Sequence, residues 1–290
     1  MATLAAALVC APAPMRAWGL DVHRLIAGRA IALLPVEIRP FYEKHRQMIV
    51  EHSIDPDLWR NAGFVEEPPR HFVDMDAYGP HPFTALPHDY DEAVKKFGVE
   101  FVTKNGTLPW RTAEMFDKLV KGFETAARPD PGYGPEDVKF FSAVIAHYVA
   151  DAHVPFHAAL NYDGQLTKQW GIHSRFESQL VLRNLPRLTP APRAMPPVTD
   201  PREFIFDTLT DGFPAVEQIL AVDRRAVRGR DEYDDGYFAQ MYAGTRPILE
   251  KQLSAAISGV AAVIAGAWER AGKPALPLEP PRGNRKVRRR

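Results

Sequence analysis

Four side chains set the chemistry to consider: His147 with Asp151, and His173 with Glu177. Each pair is spaced i, i+4, so on a helix its imidazole and carboxylate share one face, one turn apart. A divalent zinc ion takes this combination of ligands. A third histidine, His157, follows Pro155, where a helix must end or kink, so it is able to turn toward a neighbouring element. A lone His/carboxylate pair is more often a surface ion pair contributing about 0.2–0.5 kcal/mol. Here the run Val138-Lys-Phe-Phe-Ser-Ala-Val144-Ile145-Ala ahead of His147 is strongly apolar and points the pair inward. Buried His and Asp need partners, and a metal ion supplies one to both.

The elements that must position these residues read as helices. Asp21 is the expected N-cap of a helix over residues 23–34, with Pro35 as its stop. A second helix is expected over 38–49. In His52-Ser-Ile-Asp55-Pro56-Asp57-Leu58-Trp59-Arg60, Pro56 is expected to break regularity. Residues 68–76 read as an irregular connection and 79–88 as a loop. Helical patterns return at 91–104 and 112–127 with a turn at Asn105-Gly106-Thr107, then in the segment before His147. The helix holding Glu177 is expected to continue through Leu180 and Leu182. Residues 185–201 are Pro-rich and read as loop. The last helices are expected at 203–222 and 237–271, the second broken near Pro247, with 254–268 as core. No strand alternation or internal repeat appears. The fold class is therefore all-α, a single-domain multi-helix bundle over 18–278.

The 290 residues, 46% hydrophobic, suffice for one substantial core, and a formal net charge of zero argues for no particular partner. The only cysteine is Cys10. It lies in residues 1–17, a signal-peptide-like leader with the apolar heart Leu4-Ala-Ala-Ala-Leu-Val9 and a small residue, Ala17, at its end. Removal of that leader leaves no disulfide and no thiolate ligand. A secreted or periplasmic protein is expected. No other apolar run reaches the ~18 residues needed to span a bilayer. Residues 279–290 hold six basic residues in twelve. They read as a solvated end, with weak contact to an anionic surface as the functional alternative.

Beyond these pairs, the order Trp18, His23, Asp57, His71-Phe72-x-Asp74, His147-x-x-x-Asp151-x-x-x-x-x-His157 and His173-x-x-x-Glu177 resembles the zinc-dependent phospholipase C and zinc single-strand nuclease superfamily over nearly the whole chain from Trp18. The resemblance implies three zinc ions. One would be held by Asp57, His71, His147 and Asp151. A second would be held by Asp151, His23 and the amino nitrogen and carbonyl oxygen of Trp18, and a third by His157, His173 and Glu177. Ligation by the Trp18 amine requires cleavage after Ala17. Asp57 is chosen over Asp55 because Leu-Trp-Arg follows it as in the nucleases.

The implied reaction is zinc-promoted phosphodiester hydrolysis, with Asp57 and Asp151 as the catalytic carboxylates and Arg60 as a phosphate contact. Glu177 and the strings around His157 and His173 favour the phospholipase branch. Phe72 and Asp74, suited to stacking on a base and bonding its edge, favour the nuclease branch, although similar residues follow the metal histidine in the lipases. Leu58 stands where the lipases carry a choline-caging aromatic, so choline preference is not expected; Trp59 could substitute. The reading is a phospholipase C-like monomer acting on phospholipid. Single-stranded nucleic acid is the alternative substrate, and a non-catalytic zinc-binding protein the third reading.

Overall fold

The computed structural model describes residues 18–126 and 134–278. The leader over 1–17 and the basic tail over 279–290 lie outside the described residues. Among the described residues every regular element is helical. The α-helices are α1 (Leu20–Ala30), α2 (Arg39–Lys44), α3 (Arg46–His52), α4 (Asp55–Asn61), α5 (Tyr90–Phe97), α6 (Val99–Lys104), α7 (Leu108–Thr125), α8 (Pro135–Ala152), α9 (Ile172–Ser174), α10 (Leu180–Asn184), α11 (Pro201–Gly212), α12 (Ala215–Ala226) and α13 (Asp235–Arg270).

α8 is the central helix. It packs on α1, α3, α7, α11 and α13, and from Phe141 to Ala152 every residue is buried. Its start is fixed by Pro135 in the first turn and by the Asp137 carboxylate, which accepts a 2.7 Å hydrogen bond from the Gly134 amide. It stops three residues before Pro155, as its sequence requires. The facing stripe of α7, Met115, Phe116, Leu119, Val120 and Phe123, is buried. Each such side chain contributes about 1.5–3 kcal/mol of burial.

Several boundaries differ from the sequence expectation, mostly at proline or glycine. α1 begins at Leu20 with Gly19 as N-cap, so Asp21 sits in the first turn, where its charge opposes the helix dipole's positive end. The helix expected over 38–49 is split at His45 into α2 and α3. Pro56 starts α4 rather than breaking it, because a first-turn residue has no amide partner to lose. Gly98, at φ 85°, divides 91–104 into α5 and α6. Pro214 divides 203–222 into α11 and α12. Pro247 does not break α13, which runs for 36 residues. Buried Met241, Tyr242 and Thr245 before it and Leu249, Gln252 and Leu253 after it hold both halves to the core. By length and composition α13 could cross a bilayer, contrary to the expectation, yet 72% of its most apolar window is buried inside the fold.

One tight turn positions part of the site. Gly106 has φ +93°, and a Cβ there would run into the Phe72 carbonyl. Around it, Thr107 N donates to Pro69 O (2.6 Å), Asp74 N to Asn105 O (2.8 Å) and Leu108 N to Phe72 O (3.3 Å). The 105–108 turn thus clamps the segment that carries His71. Gly106→Ala combines left-handed strain with a backbone clash, so it is expected to destabilise by about 2–3 kcal/mol. The check is a thermal melt, where a midpoint within a degree of wild type would contradict this role for the turn.

Candidate metal centre

His147 and Asp151 project from the last turns of α8 as their spacing requires. His147 donates from Nδ1 to the Ser53 carbonyl at the end of α3 (2.9 Å). That bond leaves the Nε2 lone pair facing Asp151 Oδ2 at 3.3 Å and His71 Nδ1 at 3.2 Å. His71 comes from the short 3-10 turn Pro68–His71, and its Nδ1 also lies 2.9 Å from Asp151 Oδ2. Asp57, in the first turn of α4, completes this group: the Asp57, His71 and His147 ligand atoms lie within 4.8 Å of one another. Asp55 instead bonds His52 Nδ1 at the surface (2.8 Å).

His23, on α1, stacks on His147 with ring centroids 3.9 Å apart and reaches Asp151 Oδ1 at 3.4 Å. His23, His147 and Asp151 form a second convergent group. Trp18 is pinned beside it, because its indole Nε1 donates to the Ala150 carbonyl at 2.8 Å.

The third group is His157, His173 and Glu177. His157 donates from Nδ1 to the His71 carbonyl (2.6 Å), leaving Nε2 to face His173 Nε2 at 3.1 Å. Glu177 Oε2 lies 3.0 Å from His173 Nε2. His173 is in α9, but Glu177 lies in a π turn, Arg175–Gln179, rather than in the expected α-helix. The π turn keeps both side chains on one side and leads into α10.

All nine of these residues, Trp18 included, are buried. Yet the set is short of protons. Both carboxylate oxygens of Asp57 and of Glu177, Oδ1 of Asp151, both nitrogens of His23 and Nδ1 of His173 have no hydrogen-bond partner among the described residues. Lone pairs that face one another without a proton or cation between them are costly when buried. Carboxylate oxygens and imidazole nitrogens are the donor set that divalent zinc accepts, so the residues fit that ion.

Burial and charge divide the protons unevenly. Burial pushes His173 down to about 4 and His157 well below the usual histidine range. Burial, with His147 beside it, also lowers His23. Burial opposes charge on His71 too, but its contacts with Asp151 and Glu67 prevail and hold it up at about 9. Burial lifts Glu177 well above the usual carboxylate range, helped by Asp151 and Asp57. In Asp151 the burial penalty is overcome by His147 and His157, and its carboxyl is held well below that range.

Arg60, Phe72, Phe156 and Tyr162 wall a narrow cleft over His71, His157 and His173. Arg60 Nη2 lies 2.8 Å from Asp57 Oδ1, a close ion pair whose angles do not make a hydrogen bond. Asp74 is not among the walls; burial and Asp76 push its carboxyl up to about 7. Leu58 is exposed, and Trp59 packs partly buried against Phe140. His153 is buried away from the three groups, donating to Val149 O at 2.7 Å.

Sequence reasoning passed over Glu67. It is buried, lies 3.6 Å from His71 Nε2, pairs with Arg70 at 2.8 Å, and accepts a hydrogen bond from Tyr148. It occupies the outer side of His71, directing Nδ1 into the metal group. The signal was present: Glu67 and His71 are a third carboxylate/His pair at i, i+4.

A search of curated proteins finds no match to the chain. The family model described as zinc dependent phospholipase C matches residues 22–214, a span that begins one residue before His23 and runs past Glu177 through α11. With that match over well more than half of its length, the chain belongs to the zinc-dependent phospholipase C family.

Proposed function

We infer that this protein is a phospholipase C: it cleaves the phosphodiester of a phospholipid on the glycerol side, releasing diacylglycerol and a phosphorylated head group. The observation that carries this reading is the convergence of three buried ligand groups short of protons under one cleft. Asp57, His71, His147 and Asp151 would hold one zinc ion, and His23, Asp151 and the Trp18 backbone a second. His157, His173 and Glu177 would hold the third. Zinc, when bound, lowers the pKa of water and neutralises charge on phosphoryl oxygens.

The chain's own residues supply the rest. Asp57, buried behind Arg60, has carboxylate oxygens that accept no hydrogen bond, so it orients the attacking water and accepts its proton. Water adds to phosphorus, the bond to the glycerol oxygen breaks, and that oxygen takes a proton from bulk water as diacylglycerol leaves, while Asp57 returns the proton it accepted to solvent. Arg60 steadies Asp57 and presents a cation to the phosphate. Phe72, Phe156 and Tyr162 flank the bound ester and exclude water. Phe72 in this wall could also stack on a base, so the deciding assay pairs phospholipid vesicles with single-stranded DNA and RNA. Diacylglycerol release without nucleotide release is expected. Nucleotide release alone would overturn the reading. Chelation should abolish activity and added zinc restore it.

Zinc loading should expel protons. At pH 7, His71 holds a proton that competes with metal for its ligand atom, whereas His157 and His173, pushed down by burial, are already neutral. A group that loses its proton on binding makes affinity rise with pH, here up to about 9, where His71 has titrated. Calorimetry in buffers of different ionisation enthalpy should show net proton release at neutral pH, with His71 as a source. A zinc affinity that stays flat between neutral pH and the His71 value would contradict the assignment.

Glu67→Gln keeps the size of the side chain and removes its charge. It is expected to weaken zinc binding by roughly 10–100-fold. Competition against a chelator of known affinity provides the measure, and unchanged binding would make Glu67 merely a structural partner of Tyr148.

A further inference from the structure

The loop over residues 160–171 joins two members of the third ligand group, His157 and His173, and lends Tyr162 to the cleft wall. Whatever surface this loop touches therefore lies against the mouth of the site. The loop spends its polar groups on itself. Asn161 Oδ1 accepts from Leu166 N (2.8 Å), Asn161 Nδ2 donates to Thr167 Oγ1 (3.1 Å), and Gln165 Nε2 donates to Leu160 O (2.6 Å). Gly164 O accepts from Thr167 N (3.0 Å) and Gln169 N (2.9 Å).

Its base is fixed to the helices behind it. Arg175 donates to the Trp170 carbonyl (2.6 Å), to Tyr237 (2.9 Å) and to Asp223 (3.3 Å), while Gln169 donates to Asp223 (2.6 Å) and Leu220 O (2.9 Å). The loop is thus stiff, and the exposure of its large apolar side chains is built in. Leu166 is 70% exposed and Trp170 63% exposed. Between them in sequence stands exposed Lys168.

Fixed apolar side chains held in water need a partner that covers them. Leu, Trp and Lys side by side match one surface: hydrocarbon below, an interfacial zone favoured by indole, and anionic phosphate above. We propose that residues 160–171 are a membrane-docking element, in which Leu166 and Trp170 enter the interface of a phospholipid bilayer and Lys168 contacts lipid phosphate. Docking seats the cleft beside Tyr162 on the head groups, so that a phosphodiester enters without leaving the bilayer. This rests on the phospholipase C reading and adds the surface by which that site finds its substrate.

The test uses zinc-loaded protein on ice, before lipid is consumed, with phosphatidylcholine vesicles containing phosphatidylglycerol and brominated lipid. Co-sedimentation and quenching of tryptophan fluorescence report binding, and a water-soluble phosphodiester reports the site. Leu166→Ser/Trp170→Ser is expected to partition at least about tenfold more weakly while hydrolysing the soluble diester at the wild-type rate. Trp170→Leu, which keeps an apolar side chain, is expected to bind within about threefold of wild type but to lose most of the quenching. Wild-type partitioning by the double variant, or quenching undiminished in Trp170→Leu, would overturn the proposal. So would a wild-type protein that cleaves the soluble diester but does not bind vesicles. Absence of hydrolysis by the zinc-loaded wild type in every assay would sink the phospholipase reading instead, and the vesicle-binding result would stand apart from it.

Discussion

The structure is organised around a deficit of protons in its own core. α8 is buried nearly all round, and its last turns bring His147 and Asp151 to the centre. An unpaired buried carboxylate costs several kcal/mol, more than any single apolar contact returns. Four elements from elsewhere in the chain converge on that pair, and most bring further lone pairs rather than donors. Cations inside such a constellation would relieve that cost. The fold therefore holds its ligands in place through their outer atoms. Carbonyls of Ser53 and His71 take the Nδ1 protons of His147 and His157, and the carboxylate of Glu67 faces the outer nitrogen of His71. Backbone carbonyls set the tautomers, so the geometry depends on where short helices and turns end.

That dependence explains what was legible in the sequence. His147/Asp151 and His173/Glu177 could be read because helical spacing is local and survives even the π turn at Glu177. The all-α class followed from the same periodicity. Asp57 could be preferred to Asp55 only by resemblance, because both lie in one short helix and the choice turns on which way α4 faces. Glu67 had the right spacing to His71 but no helical pattern around it, since it precedes a 3-10 turn. A spacing rule carries little weight where the period is unknown.

Proline was the main source of misplaced boundaries, and the reasons differ. At Pro56 the ring sits in a helix's first turn, where its missing amide costs nothing. At Pro214 two helices are separated by a turn that the apolar pattern alone ran through. At Pro247 tertiary packing overrides a local cost of about 3 kcal/mol, because buried side chains on both sides hold α13 to the core as one helix. None of these errors moved a ligand. The metal-facing residues sit near element ends, which several short-range signals fix together.

The three ligand groups differ in how firmly the polypeptide holds them. His147 and Asp151 stand on a core helix, whereas His157 and His173 close the two ends of one loop. Cross-linking loop ends through a metal costs little closure entropy here, because the loop is already tied by its own hydrogen bonds and by Arg175. An ion in the third group would therefore find the segment that presents Leu166 and Trp170 already in place. The face offered to a lipid surface and the site that would cleave its phosphodiester share the same two histidines.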